Sequence, residues 1–120
     1  MADFNPSRRL THARDFEQVI RRPEIKLSSG PLRIRARKNT LSHPRLGIVV
    51  PKRGTALAVH RNRAKRIVRE IFRVRSSTLP ELDMVVQIFN QMDDQVLRRE
   101  FEKQLKKLAR TGKDQPDAKT

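Results

Sequence analysis

The sequence predicts one α+β domain, and three observations predict it. Apolar residues recur at helical spacing in three separated stretches, the pattern of helices seated on a core. Between them, short runs alternate apolar with polar residues or stay apolar throughout, as strands do. A chain of 120 residues suffices for a single modest core, and neither a repeat nor a compositional break marks a second domain.

Residues 1–10 are polar and basic, contain Pro6 and end near Arg8-Arg9, which reads as a flexible arm. The folded domain is expected over 11–110. Thr11 can cap a first helix over about 11–22, with Asp15 near the positive end of its dipole. Phe16, Val19 and Ile20 mark one face of that helix, and Pro23 ends it. Ser28-Ser29-Gly30-Pro31 is a turn signal. Leu32, Ile34 and Ala36 then alternate with Arg33, Arg35 and Arg37, a half-buried strand with a row of arginines outward.

A polar loop, Lys38 to Pro44, leads to Arg45-Leu-Gly-Ile-Val-Val-Pro51, whose apolar continuity reads as an interior strand. These two strands are expected to form an antiparallel hairpin. Lys52-Arg53-Gly54-Thr55 follows as a basic, flexible loop able to offer N–H groups and charge to phosphates. After a second helix, Ser76-Ser77-Thr78 and Pro80 break the chain, and Met84–Phe89 reads as a third strand. Asp93 or Asp94 can cap a last helix whose buried stripe is Val96, Leu97, Phe101, Leu105 and Leu108. Gly112 is expected to stop it, leaving 111–120 as a disordered tail.

The second helix, His60–Arg73, is the stretch the others serve. Ala64, Ile67, Val68, Ile71 and Phe72 form its apolar stripe, while Arg61, Lys65, Arg69 and Arg73 recur every fourth residue beside Asn62 and Arg66. Like charges at this spacing cost a few tenths of a kcal/mol per pair. Solvated helix faces normally mix signs, yet Glu70 is the only acid here. Such a ridge calls for a polyanion. Net charge says the same: the chain carries +15, and residues 1–75 hold all of that excess, with 20 Lys/Arg against 5 Asp/Glu. That asymmetry points to nucleic acid, because the apolar stripe is needed for the core and is not free to enter a membrane. Dense charge on a packed helix favours phosphate contact over base reading in a DNA groove.

Independent catalytic chemistry finds no support. Without Cys there is no thiolate nucleophile, disulfide or Cys-ligated zinc. His12, His43 and His60 are scattered, and His12 with Asp15 or the pair Asp93-Asp94 is better explained at helix N-termini than as metal ligands. No apolar run reaches the roughly 18 residues of a membrane span, and no signal-peptide core is visible, so a cytoplasmic location is expected.

Three pieces together carry a resemblance: Arg9-Leu10 with Asp15-Phe16 and Val19, then Arg45-Leu-Gly-Ile-Val-Val-Pro-Lys-Arg53, then Arg61-Asn-Arg-x-Lys-Arg-x-x-Arg-Glu70. In this order and spacing the chain resembles the protein subunits of bacterial ribonuclease P, whose signature is the Arg-Asn-Arg helix. The resemblance implies an α-β-β-β-α-β-α two-layer sandwich, a four-stranded sheet with three helices and a left-handed β-α-β crossover. A fourth strand must then lie near Thr55–Leu57 or Glu24–Leu27. The implied function is accessory to an endoribonuclease: an RNA subunit hydrolyses the phosphodiester with Mg2+, and the protein assists removal of the 5′ leader of precursor tRNA. Contacts to that RNA would carry over to Lys52, Arg53, Arg61, Asn62, Arg63, Lys65, Arg66 and Arg69, in a 1:1 complex. Leader contacts would fall to Phe16, Val19 and Ile20, with Arg33 and Arg35 on the sheet. The chain departs from the family in having Ile20 where an aromatic is frequent, no Tyr, and Asn90-Gln91-Met92-Asp93 where a basic pair is usual. A ribosomal protein or RNA chaperone is the alternative with the same charge logic.

Overall fold

Gly30 and Pro31 set the first register of the sheet. Strand β1 (Ile25–Ser29) turns into β2 (Leu32–Lys38) through these two residues, with Ser29 opposite Leu32. Gly30 has φ of 60°, the left-handed value that tight two-residue hairpin turns demand at their first position. The fourth strand required by the resemblance is therefore the one near Glu24–Leu27. The computed structural model describes residues 8–118, with side chains through Arg110; the expected arm is described only from residue 8, and 119–120 lie outside.

The remaining elements are α1 (Ala13–Arg21), β3 (Arg45–Val49), α2 (Ala58–Arg75), a 3₁₀ turn (Ser76–Thr78), β4 (Leu82–Ile88) and α3 (Asp94–Ala118). Strand order is β1-β2-β4-β3, with β4 antiparallel to β2 and parallel to β3. The hairpin expected between β2 and β3 does not form. β4 separates them, because nearly every β4 residue is buried and such a strand belongs at the centre. β3 is instead an edge strand. Its apolar run is buried by layers on both sides, and its outer edge is partly covered by the arm, where Arg9 bridges Leu46 and the Leu10 N–H donates to the Leu46 carbonyl at 3.0 Å.

One face of the sheet carries Leu32, Ile34, Ala36, Leu46, Met84, Val86 and Ile88 into the main core. α2 and α3 close it with Ile67, Val68, Ile71, Phe72, Leu97, Phe101, Leu105 and Leu108, and Phe72 and Phe101 are 0% exposed. A second, smaller cluster lies on the other face, where Leu10, Phe16, Val19 and Ile20 pack on Val85 and Val49. α1 therefore crosses the face opposite α2.

Two helix ends differ from expectation. The residue capping α1 is His12 and not Thr11, and its own side chain makes no cap bond; Asp15 does stand in the first turn. α3 begins as expected, with Asp93 accepting the Gln95 N–H at 3.0 Å. It then runs through Gly112 to Ala118. One glycine costs a helix about 1 kcal/mol relative to alanine, too little to end it alone.

Candidate nucleic-acid interface

Strand register divides the α1 side of the sheet into rows. Arg37, Asp83 and Arg45 form one; Lys26, Arg35, Val85 and Gly47 the next; Ser28, Arg33, Gln87 and Val49 the third. α1 lies over the first two. A Cβ built on Gly47 would stand 2.5 Å from the Phe16 ring, so only glycine leaves room for that ring against β3. Arg35 donates to the Ile20 carbonyl at 3.3 Å and Arg37 to the Arg22 carbonyl at 2.9 Å, so both satisfy the C-terminal end of α1. The outward row of arginines is thus split: Arg35 and Arg37 serve α1, and Arg33 is exposed in the third row. Ser28 and Arg33 of that row are exposed and Gln87 and Val49 half-buried, so the sheet keeps an open strip beside α1, a shallow cleft with the helix as its wall. Phe16 and Ile20 reach the cleft half-buried; Val19, at 1% exposure, belongs to the core and presents no surface to a ligand.

A polar clamp fixes the wall. Asp83 accepts two hydrogen bonds from Arg45 (Nε 2.9 Å, Nη2 2.8 Å) and one from Asn39 (2.9 Å). Arg45 Nη2 also lies 3.4 Å from Asp15, tying β3 and β4 to the first turn of α1. The Asp83 hydrogen bonds raise the Arg45 guanidinium above its ordinary pKa.

The ridge stands on the opposite side of the sheet, and its cations are not equivalent. Arg61 donates to the carbonyls of Thr55 (3.0 Å) and Ala56 (2.7 Å), bracing the approach to α2. Arg73 is paired with Glu70, whose carboxyl it holds below the ordinary value. Arg63 lies 3.8 Å from Asp94 across to α3. Burial, then repulsion from Arg9, lowers the Arg69 pKa. Among the described residues, Asn62, Lys65 and Arg66 have no hydrogen-bond or ion-pair partner, and neither do Lys52 and Arg53 in the preceding turn. That turn is anchored and not loose: Thr55 N–H donates to the Pro51 carbonyl (3.2 Å) and Gln91 N–H to the Gly54 carbonyl (3.1 Å). A Cβ on Gly54 would fall 1.8 Å from the Phe89 carbonyl oxygen.

Three features are absent from the sequence reading: the clamp, the docking of Arg9-Leu10 on β3, and the exposure of Phe89 just beyond β4. Alternation held a signal for the last, since Met84, Val86 and Ile88 face the core and Phe89 falls on the arginine side. Among the described residues no three His, Asp or Glu side chains converge as a metal site, and no helix is long and apolar enough to cross a membrane.

Comparison with known proteins tests the resemblance. The ribonuclease P family model matches residues 4–109. The ribonuclease P protein component of Halorhodospira halophila is 48% identical over 83 residues, spanning 69% of this chain and 68% of that protein. That of Pseudomonas aeruginosa is 40% identical over 111 residues, covering 90% of this chain and 82% of the relative. Among solved structures, the RNase P protein of Staphylococcus aureus superposes with a TM-score of 0.77 at 26% identity, covering 88% of this chain and 97% of that one. The Thermotoga maritima RNase P protein gives 0.69 at 33% identity, covering 82% and 96%. These matches displace the ribosomal-protein and chaperone alternatives. With motif, sheet and basic helix in agreement, the chain belongs to the ribonuclease P protein family.

Proposed function

We propose that this protein component of ribonuclease P holds the catalytic RNA on α2 and the single-stranded 5′ leader of precursor tRNA in the cleft beside α1. The observation that carries the reading is the separation of two surfaces on opposite faces of one sheet. The α2 side offers Asn62, Lys65 and Arg66 without competing intramolecular partners, and Lys52 and Arg53 extend it. Arg63 and Arg69 flank these groups, and Arg61 acts chiefly by bracing the turn that presents them. On the other face, Phe16 offers a ring and Arg33 a charge to an unpaired strand, with Ile20 on the same face of α1 and Arg35 bonded to its carbonyl.

Phosphodiester hydrolysis falls to the RNA. Mg2+ bound to that RNA would supply electrophilic stabilisation of the phosphodiester. The protein's contribution is electrostatic and positional: its cations neutralise phosphate, so less Mg2+ is needed, and its cleft adds affinity for substrates that still carry a leader. One ridge and one cleft per chain suit a 1:1 protein–RNA complex acting on cytoplasmic tRNA precursors.

Reconstitution tests this. At low Mg2+, adding the protein to the RNA subunit should raise precursor cleavage, and an unchanged rate would reject the proposal. Phe16→Ala should weaken precursor binding by about 1–3 kcal/mol while leaving mature tRNA binding unchanged. For the ridge, log K for the RNA subunit should fall with log salt at a slope of about −4 to −5 if about six phosphates are neutralised. Lys65→Ala should flatten that slope by about one contact without unfolding the chain. A flat salt response in the unmodified protein would remove the electrostatic argument.

A further inference from the structure

Among the described residues two phenyl rings are not fully buried, Phe16 against Gly47 and Phe89 beside Arg33, both on the α1 side of the sheet. Phe89 is 37% exposed and follows β4 directly, held by its N–H to the Pro31 carbonyl at 3.0 Å. The Arg33 guanidinium lies 4.8 Å from its ring centroid. Gln87 faces Arg33 across the strand pair, and its side-chain oxygen is buried with no hydrogen-bond partner. The Phe89 backbone is also packed against Gly54, so the ring stands where the cleft meets the Lys52-Arg53 turn. An exposed aromatic face with a guanidinium beside it is the pair of groups that holds an unpaired nucleotide: the ring stacks the base and the cation meets phosphate.

We infer that Phe89 and Arg33 form a second base-stacking subsite for single-stranded RNA at the far end of the cleft. A leader base stacks on Phe89, and Arg33 moves from the ring to the adjoining phosphate. The inference rests on the leader running along this face. Gly47, beneath Phe16, registers with Val85, and Phe89 lies four residues further on, about 13 Å along the strand. The two rings therefore serve different nucleotides. The subsite supplies a second stacking contact that Ile20 does not.

The test uses the reconstituted RNA–protein enzyme and precursors whose leaders are lengthened one nucleotide at a time or carry a single abasic position. Phe89→Ala and Phe89→Leu should each lower precursor affinity about 5- to 150-fold, only for leaders long enough to pass Phe16, with mature tRNA unchanged. Phe89→Tyr should retain binding. One abasic position should weaken the unmodified enzyme and have no further effect on Phe89→Leu. If Phe16→Ala weakens long-leader binding and both Phe89 variants bind normally, the subsite is overturned and the leader cleft stands. If neither Phe16→Ala nor Phe89→Leu alters the advantage a leader confers, the cleft falls with it. Equal loss for mature tRNA would make Phe89 a structural support and also overturn the inference.

Discussion

Gly54→Ala should lower stability by about 3 kcal/mol, more than any single change to the ridge cations. The added methyl would sit 1.8 Å from the Phe89 carbonyl oxygen and 2.9 Å from the Asn90 Cα, both backbone atoms that cannot swing aside. The Pro51–Thr55 turn or the 89–91 segment must shift, breaking the Gln91-to-Gly54 hydrogen bond. A Tm depressed by about 10–15 °C should result. RNA affinity should fall as well, although no charge has changed and the salt slope should stay that of the parent. An unfolding midpoint equal to the parent's would show that the close approach is relieved at no cost.

Asp83→Asn should cost about 3 kcal/mol, by a different route. Arg45 would keep the 3.4 Å contact to Asp15 and at most one acceptor oxygen at position 83, losing the negative charge and the second of its two hydrogen bonds there. Breaking a buried pair from one side costs about 3–5 kcal/mol because a charge is left uncompensated. The side chains here keep 20% and 13% exposure, which argues for the lower end. Replacing Arg45 by Met in the same chain should restore part of the loss, since no orphaned cation remains. Urea denaturation of the two single variants and the double variant would measure the coupling. Additive losses would show that the pair does not act as a unit. Leader-dependent binding should weaken together with stability in Asp83→Asn, because the clamp sets where α1 holds Phe16.

Helix faces were the most legible part of the chain. The stripe Ile67, Val68, Ile71, Phe72 and the stripe Leu97, Phe101, Leu105, Leu108 are buried as their spacing required, because burial of an amphipathic face leaves an unambiguous period. Strand partners were not legible. A short apolar run such as Arg45–Val50 does not reveal whether its neighbours are strands or covering layers; here one edge of β3 meets β4 and the other the arm. The basic ridge could be found by charge alone, but not which cations are committed to the fold. Arg61 and Lys65 are alike in spacing, yet one binds backbone carbonyls and the other has no such partner among the described residues. Likewise Arg33 and Arg35 alternate identically, and only the position of α1 distinguishes them. Val19 shows the converse, a helix-face residue taken for cleft lining that is core.

Placing β4 at the centre of the sheet has a consequence for how the molecule comes into being. β4 is the last strand in the chain, yet it supplies the neighbour that both β2 and β3 lack. A nascent chain that ends before Leu82 can close the β1–β2 hairpin but has no sheet on which to seat α2. Until then its whole excess of 15 positive charges lies on an incompletely packed segment. Long-range pairings of this kind delay folding, because the intervening loop must be closed before any contact rewards it. The completed sheet therefore depends on synthesis reaching the least basic part of the chain, and the ridge acquires its rigid seat only after β4 has threaded between its two partners.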